Sequence, residues 1–254
     1  LMHGLTRNSA DFEPLVHHLY GRYRLLVPDQ RGRGLSEYDP QPENYRPDVY
    51  AKDMLALLRE ADLEQVSAIG TSMGGLVAMA MAAIEPDCIS AAVLNDVGPE
   101  LSSAGLERIA SYVGPNACFA TWSDAASHCA MINNTVFPDF EASDWMAFAK
   151  RTCVETATGE VTFAYDPGIV ATIAEAPQDS PDLWPLWHAM DGKAVLVLRG
   201  ALSDLLTPEA IGRMRQAHEG MFVHCDIPNR GHAPLLNEPE ALRAIDSFLE
   251  LQGG

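Results

Sequence analysis

The chain has 254 residues, 47% of them apolar and 20% charged. That balance excludes a disordered or collagen-like polymer and is enough for one large domain or two small ones. The formal net charge is −18, from 35 acidic and 17 basic residues, of which only Lys52, Lys150 and Lys193 are lysines. So acidic a surface repels phosphate backbones and anionic bilayers, so neither nucleic acid nor a membrane is expected as a partner.

The chain opens on Leu1-Met2-His3-Gly4, which reads as the end of a strand. Residues 23–28 read as a buried strand. Residues 49–63 read as a helix with Met54, Leu55, Leu58 and Ala61 on one face. A strand over 65–70, a helix over 74–84 and a strand over 89–94 follow. No apolar run, not even 76–84, nears the roughly 18–20 residues of a membrane span. The stretch 101–187 breaks this rhythm. It has helical patterns, no clear buried strand, and eleven of the nineteen aromatic residues, including all four tryptophans. It reads as a helical insertion between two sheet strands, a cap or lid in which Trp122, Trp145, Trp184 and Trp187 are expected to line an apolar pocket. A strand over 194–199, a helix opened by Thr207-Pro208, a strand over 221–227 and a helix over 238–251 complete the chain. Uniformly apolar strands separated by helices imply an α/β fold, with an open, mostly parallel sheet covered by helices on both faces. Residues 1–100 and 188–254 form its core.

Cys88, Cys118, Cys129, Cys153 and Cys225 are odd in number and scattered, with no CxxC. They are expected to be reduced core residues of a cytoplasmic protein, without a disulfide framework or a metal site.

The chemistry centres on Gly70-Thr71-Ser72-Met73-Gly74-Gly75, a G-x-S-x-G match between an expected strand and an expected helix. A sharp turn there thrusts Ser72 out at the top of the sheet and aims the Met73 backbone N–H at a developing oxyanion. A serine needs a base, and His232 follows the last strand. The base needs a carboxylate. Asp204, after the 194–199 strand, is expected to supply it, and Asp96, after the preceding strand, is the rival. The N–H of Leu5 is expected as the second oxyanion donor, with His3 orienting its loop.

Together, His3-Gly4, the run from Pro28 to Ser36 (PDQRGRGLS), the Ser72 turn, Asp204 and Gly231-His232 resemble the α/β-hydrolase superfamily, in particular its capped single-chain branch of esterases, lactonases and perhydrolases. The resemblance implies a cofactor-free serine hydrolase acting on a small-molecule substrate. It implies an ester or lactone of modest size, or alternatively a ring-cleavage product cleaved at a C–C bond, or a ligand bound without turnover. It also implies a further N-terminal segment ahead of Leu1. Asp29 and Arg31 are expected to brace the active-site turn as an ion pair.

Overall fold

Short runs of Val, Ile, Leu and Ala become parallel strands, as their lack of polar alternation requires. The computed structural model describes residues 1–114, 117–170 and 182–253. Chain order runs through α1 (Glu13–Leu19), α2 (Pro47–Glu60), β1 (Val66–Thr71), α3 (Met73–Ile84) and β2 (Ile89–Asn95). An insert follows, with α4 (Ser103–Tyr112), β3 (Cys118–Phe119), α5 (Trp122–Asn133), α6 (Ala142–Thr152), β4 (Cys153–Glu155), β5 (Val161–Phe163) and α7 (Trp184–His188). The chain then returns through β6 (Ala194–Gly200), α8 (Pro208–Ala217), β7 (Phe222–Ile227) and α9 (Pro239–Glu250).

The main sheet has the order β1-β2-β6-β7, every pair parallel. Its two faces separate by alternation along each strand. Ala68, Ala92, Leu94, Val195 and Val197 pack toward α2, α3 and α8, whereas Ile69, Ala91, Val93, Leu196 and Leu198 pack toward α1 and α9. The central strands β2 and β6 are buried almost throughout, which accounts for their unbroken apolar runs.

Two expectations change. Residues 23–28 do not form a ladder. They run beside Leu1, whose nitrogen donates to the Leu26 carbonyl at 2.7 Å. The insert is not purely helical. Strands β3, β5 and β4 form a small antiparallel sheet. Strands of two or three residues are too short to leave a periodic trace in sequence. Of the cysteines, Cys88, Cys129 and Cys153 are buried and Cys118 is exposed. Among the described residues no helix is long and apolar enough to cross a membrane.

Met2 adds one parallel bridge outside β1, donating to the Ile69 carbonyl at 2.8 Å and accepting from Thr71 N at 3.0 Å. This places the loop of His3, Gly4 and Leu5 over the C-terminal end of β1. His3 is fully buried there. Its Nε2 accepts from Gln30 N at 3.0 Å, and its Nδ1–H donates to the Gly4 carbonyl at 2.8 Å. Both bonds need the neutral ring, and burial pulls its pKa down to about 4.

The native state thus refuses a proton that the unfolded chain accepts near pH 6.5. Stability is held above that pH and declines as pH falls toward 4, by about 2 kcal/mol at pH 5. Urea midpoints at pH 7 and pH 5 test this. His3→Asn should be less stable at pH 7 yet lose less on acidification than the parent, and an equal loss in both would refute the assignment.

Candidate active site

The turn from β1 into α3 places Ser72 at φ 51° and ψ −116°, a left-handed conformation that costs a non-glycine residue energy. Contacts on either side impose it. A Cβ on Gly70 would lie 2.4 Å from the Gly74 carbonyl carbon, and a Cβ on Gly74 would lie 2.0 Å from the Met2 carbonyl oxygen. Ser72 N donates to the Asn95 carbonyl at 2.9 Å, tying the turn to the end of β2. Although Ser72 stands at the N-cap of α3, its side chain makes no capping bond. Its Oγ instead lies 2.9 Å from His232 Nε2.

His232 Nδ1 lies 2.7 Å from Asp96 Oδ2. A carboxylate only accepts, so Nδ1 carries the ring proton and Nε2 presents its lone pair to the Ser72 hydroxyl. Asp96 is fully buried. Its Oδ1 accepts from Gly200 N at 2.9 Å, and its Oδ2 also accepts from Ser203 Oγ at 2.6 Å. Three donors on one carboxylate fix its direction.

The carboxylate that hydrogen-bonds His232 is therefore that of Asp96, the rival, and not that of Asp204. Asp204 instead receives Arg108 of α4 through Nε at 2.5 Å and Nη2 at 2.8 Å. Its side chain is 38% exposed, and the guanidinium holds its carboxyl below the usual range. The reason is local. Asp96 directly follows the last residue of β2, whereas the turn after β6 carries Asp204 beyond reach and spends Ser203 on Asp96 instead. Ser203 was not anticipated from sequence. A hydroxyl next to a candidate acid is its only trace.

The Met73 N–H is in the first turn of α3, where amides lack an intrahelical partner. Leu5 reaches the same space from the other side. A Cβ on Gly4 would sit 3.9 Å from Ser72 Cβ, so the loop passes close over the nucleophile candidate. Arg33 anchors it. This fully buried guanidinium donates from Nε to the Leu5 carbonyl at 2.9 Å, and from Nη1 to the Arg31 carbonyl at 2.8 Å and the Tyr50 hydroxyl at 2.6 Å. Among the described residues no carboxylate pairs with it directly, and desolvation lowers its pKa. The expected Asp29–Arg31 pair is absent. Asp29 accepts from Ser9 N and Leu35 N, while Arg31 pairs with Asp53 and Asp39, so both brace the turn with other partners.

Ser72, His232, Leu5 and Met73 lie on the wall of a cavity of about 1300 Å³ roofed by the insert. Its aromatic lining is Phe12 and Tyr45 from the sheet-bearing part and Tyr112, Phe137, Phe148, Phe163, Tyr165 and Trp184 from the insert. Of the four tryptophans expected there, Trp184 alone reaches it. Trp145 packs among Phe137, Phe140 and Phe148 inside the insert, and Trp187 is buried against His218 and Phe222. Trp122 is half-buried at the edge of the core, lies under the Lys150 ammonium and donates to Glu155. Large side chains at helical spacing serve first to join helices, and the cavity takes the rings left on the inner face.

Comparison with known proteins gives one picture. Residues 1–245 match the alpha/beta hydrolase family. A 3-hydroxybutyrate-oligomer hydrolase of Cupriavidus necator is 32% identical over 255 residues, covering 97% of this chain and 86% of the relative. A 2-(acetamidomethylene)succinate hydrolase of Mesorhizobium japonicum is 28% identical, covering 98% and 86%. A crystal structure of an alpha/beta hydrolase from Novosphingobium aromaticivorans superposes with a TM-score of 0.90 at 43% identity, covering 98% of this chain and 87% of that one. The chain belongs to the alpha/beta hydrolase family and has its fold.

Proposed function

We propose that the protein is a serine hydrolase that cleaves a carboxylic ester or lactone of a small, largely apolar substrate through an acyl-enzyme on Ser72. The observation that carries this reading is the continuous hydrogen-bonded series Ser72 Oγ, His232, Asp96 at the floor of the apolar cavity. His232 Nε2 takes the Ser72 proton as Oγ attacks the carbonyl carbon. Asp96 stabilises the resulting imidazolium and keeps the ring in the productive tautomer. The Leu5 and Met73 N–H groups receive the oxyanion, each contributing roughly 3 kcal/mol. His232 then returns its proton to the leaving alkoxide. It next deprotonates a water that attacks the acyl carbon, and gives that proton to Ser72 Oγ as the acyl–Oγ bond breaks and the acid leaves. No step draws on a cofactor.

In this reading residues 101–187 act as the cap that shapes the cavity. The 3-hydroxybutyrate-oligomer hydrolase among the relatives supports short hydroxyalkanoate esters as the substrate class.

Turnover of p-nitrophenyl butyrate tests the assignments. Ser72→Ala should abolish it and block labelling by a fluorophosphonate probe, and a variant retaining full activity would overturn the nucleophile. Asp96→Asn should lower kcat by roughly a thousandfold or more. Asp204→Asn loses only a part-exposed ion pair, of the order of 1 kcal/mol or less in stability, and should keep most activity. The reverse ranking of these two variants would return the acid role to Asp204. Rapid loss of a yellow dienoate on mixing, with no ester turnover, would favour C–C bond cleavage.

A further inference from the structure

The turn that carries Leu5 also sends a charged side chain into the cavity. Arg7 N closes this turn on the Gly4 carbonyl at 3.3 Å. A Cβ on Gly4 would lie 3.6 Å from Arg7 Cγ and 3.9 Å from Ser72 Cβ, so the Arg7 stem and the Ser72 side chain flank the same bare glycine. From there the guanidinium extends to α6, where its Cζ stands 3.9 Å over the Phe148 ring. Arg7 therefore runs along the wall from the nucleophile toward the roof, and both Arg7 and Phe148 line the cavity.

The guanidinium is held on two sides. Its Nε donates to Asp11 Oδ2 at 2.6 Å, its Nη2 donates to Asp11 Oδ1, and the Phe148 face supports its plane. The Arg7 side chain is 15% exposed. This leaves Nη1, which donates to no group among the described residues. A guanidinium fork preorganised by a bidentate carboxylate loses little entropy on forming one more hydrogen bond. Other cations do not compete for the role. Arg46, also on the wall, is largely exposed and paired with Asp48.

We infer that Arg7 Nη1 is a specificity contact that binds a second carbonyl-type oxygen on the acyl chain of the substrate, a few bonds beyond the scissile carbonyl. The inference rests on the ester-cleavage reading and names the substrate class more closely. Asp11 neutralises Arg7, and the wall also carries Glu43, Glu100, Glu107 and Asp182, so the site suits one acceptor oxygen rather than a polyanion. The acceptor is either the carbonyl of the next ester unit, as in a hydroxyalkanoate oligoester, or a terminal carboxylate. A glutaryl group has the same spacing between carbonyl carbons as a 3-acyloxybutyrate, which makes it a probe for both.

The test compares kcat/KM for three p-nitrophenyl esters, corrected for spontaneous hydrolysis: the methyl glutarate diester, the hydrogen glutarate, and the hexanoate, which lacks a second carbonyl. The parent protein should prefer at least one glutaryl ester over the hexanoate by about tenfold or more, the selectivity that one charge-assisted hydrogen bond supplies. Arg7→Lys keeps a cation on Asp11 but removes the third donor of the fork, and should erase most of that preference. If that protein does not fold, the doubly uncharged Arg7→Gln/Asp11→Asn variant serves. Loss on the diester identifies the next ester unit as the ligand, and loss on the hydrogen glutarate alone identifies the carboxylate. No preference in the parent, or an unchanged preference in both variants, overturns the inference. If no ester is turned over, the ester-cleavage reading fails on its own. Calorimetric binding of monomethyl glutarate against methyl hexanoate to the Ser72→Ala protein, with and without Arg7→Lys, then still decides the role of Arg7.

Discussion

The site depends on one dipeptide at the C-terminal end of β2. The Asn95 carbonyl accepts from Ser72 N, and its side-chain amide donates to Thr71 Oγ1 at 3.0 Å and to the Pro234 carbonyl at 2.8 Å. Asp96 N donates to the Leu198 carbonyl of β6, and its carboxylate accepts from Gly200 N, Ser203 Oγ and His232 Nδ1. Two residues thus tie together the ends of β1, β2 and β6 and the loop after β7, the four places that supply the site. Both are fully buried, so each of these bonds forms where water does not compete, and losing one partner leaves a costly unpaired group. Asp96 itself sits at φ 56°, a conformation that aspartate tolerates better than most residues. The strain at Ser72 and at Asp96 is paired across adjacent strands, and each is held in place by a hydrogen bond to the neighbouring strand.

That arrangement explains what was legible in the sequence. Strong local signals survived. The glycines around Ser72 are required by backbone contacts within a few residues, so they were readable without the fold, as were the apolar strands and the Thr207 cap that accepts from Ala210 N at 3.1 Å. His232 was readable because it follows a strand end. The carboxylate that meets its ring was not, because β2 and β6 are neighbours in the sheet and both end in an aspartate-bearing turn. Which carboxylate reaches the imidazole depends on turn geometry and on Arg108, 96 residues away from Asp204 in the chain. Arg7 and Arg33 were illegible for a related reason. An arginine in a loop reads as a solvated surface residue, and only tertiary packing buries Arg33 between Tyr45 and Tyr50 or lays Arg7 on Phe148.

The insert is stitched to the same loops. Gly231 N, beside His232, donates to the Val136 carbonyl at 2.8 Å, and Ser102 N donates to the Leu205 carbonyl at 2.9 Å. The turn at Gly32 and Gly34 exchanges backbone bonds with Ala164 and Asp166 at 2.9 and 2.8 Å. Arg230 reaches Asp139, and Asn8 reaches the Arg151 carbonyl. Gly105 makes α4 fit, since a Cβ there would lie 2.7 Å from Leu205 Cα. Contacts of this kind fix the described parts of the insert against the sheet rather than leaving them on a hinge.

A fixed roof divides the labour between two parts of the chain. The strand ends set the Ser72, His232 and Asp96 side chains through buried hydrogen bonds, and their geometry tolerates little change. The rings of the insert set the shape and polarity of the space above, and those side chains are held by packing, which accepts volume-conserving exchange at modest cost. Arg108 and Asp204 stand where the two parts meet. Asp204 is free to bind the roof only because Asp96 holds the imidazole. A carboxylate placed after β6 thus acts as a tether for α4, while the one after β2 holds His232. Moving the carboxylate that meets the imidazole by one strand makes the other position a structural joint, and the space the joint encloses is the one whose wall Arg7 lines.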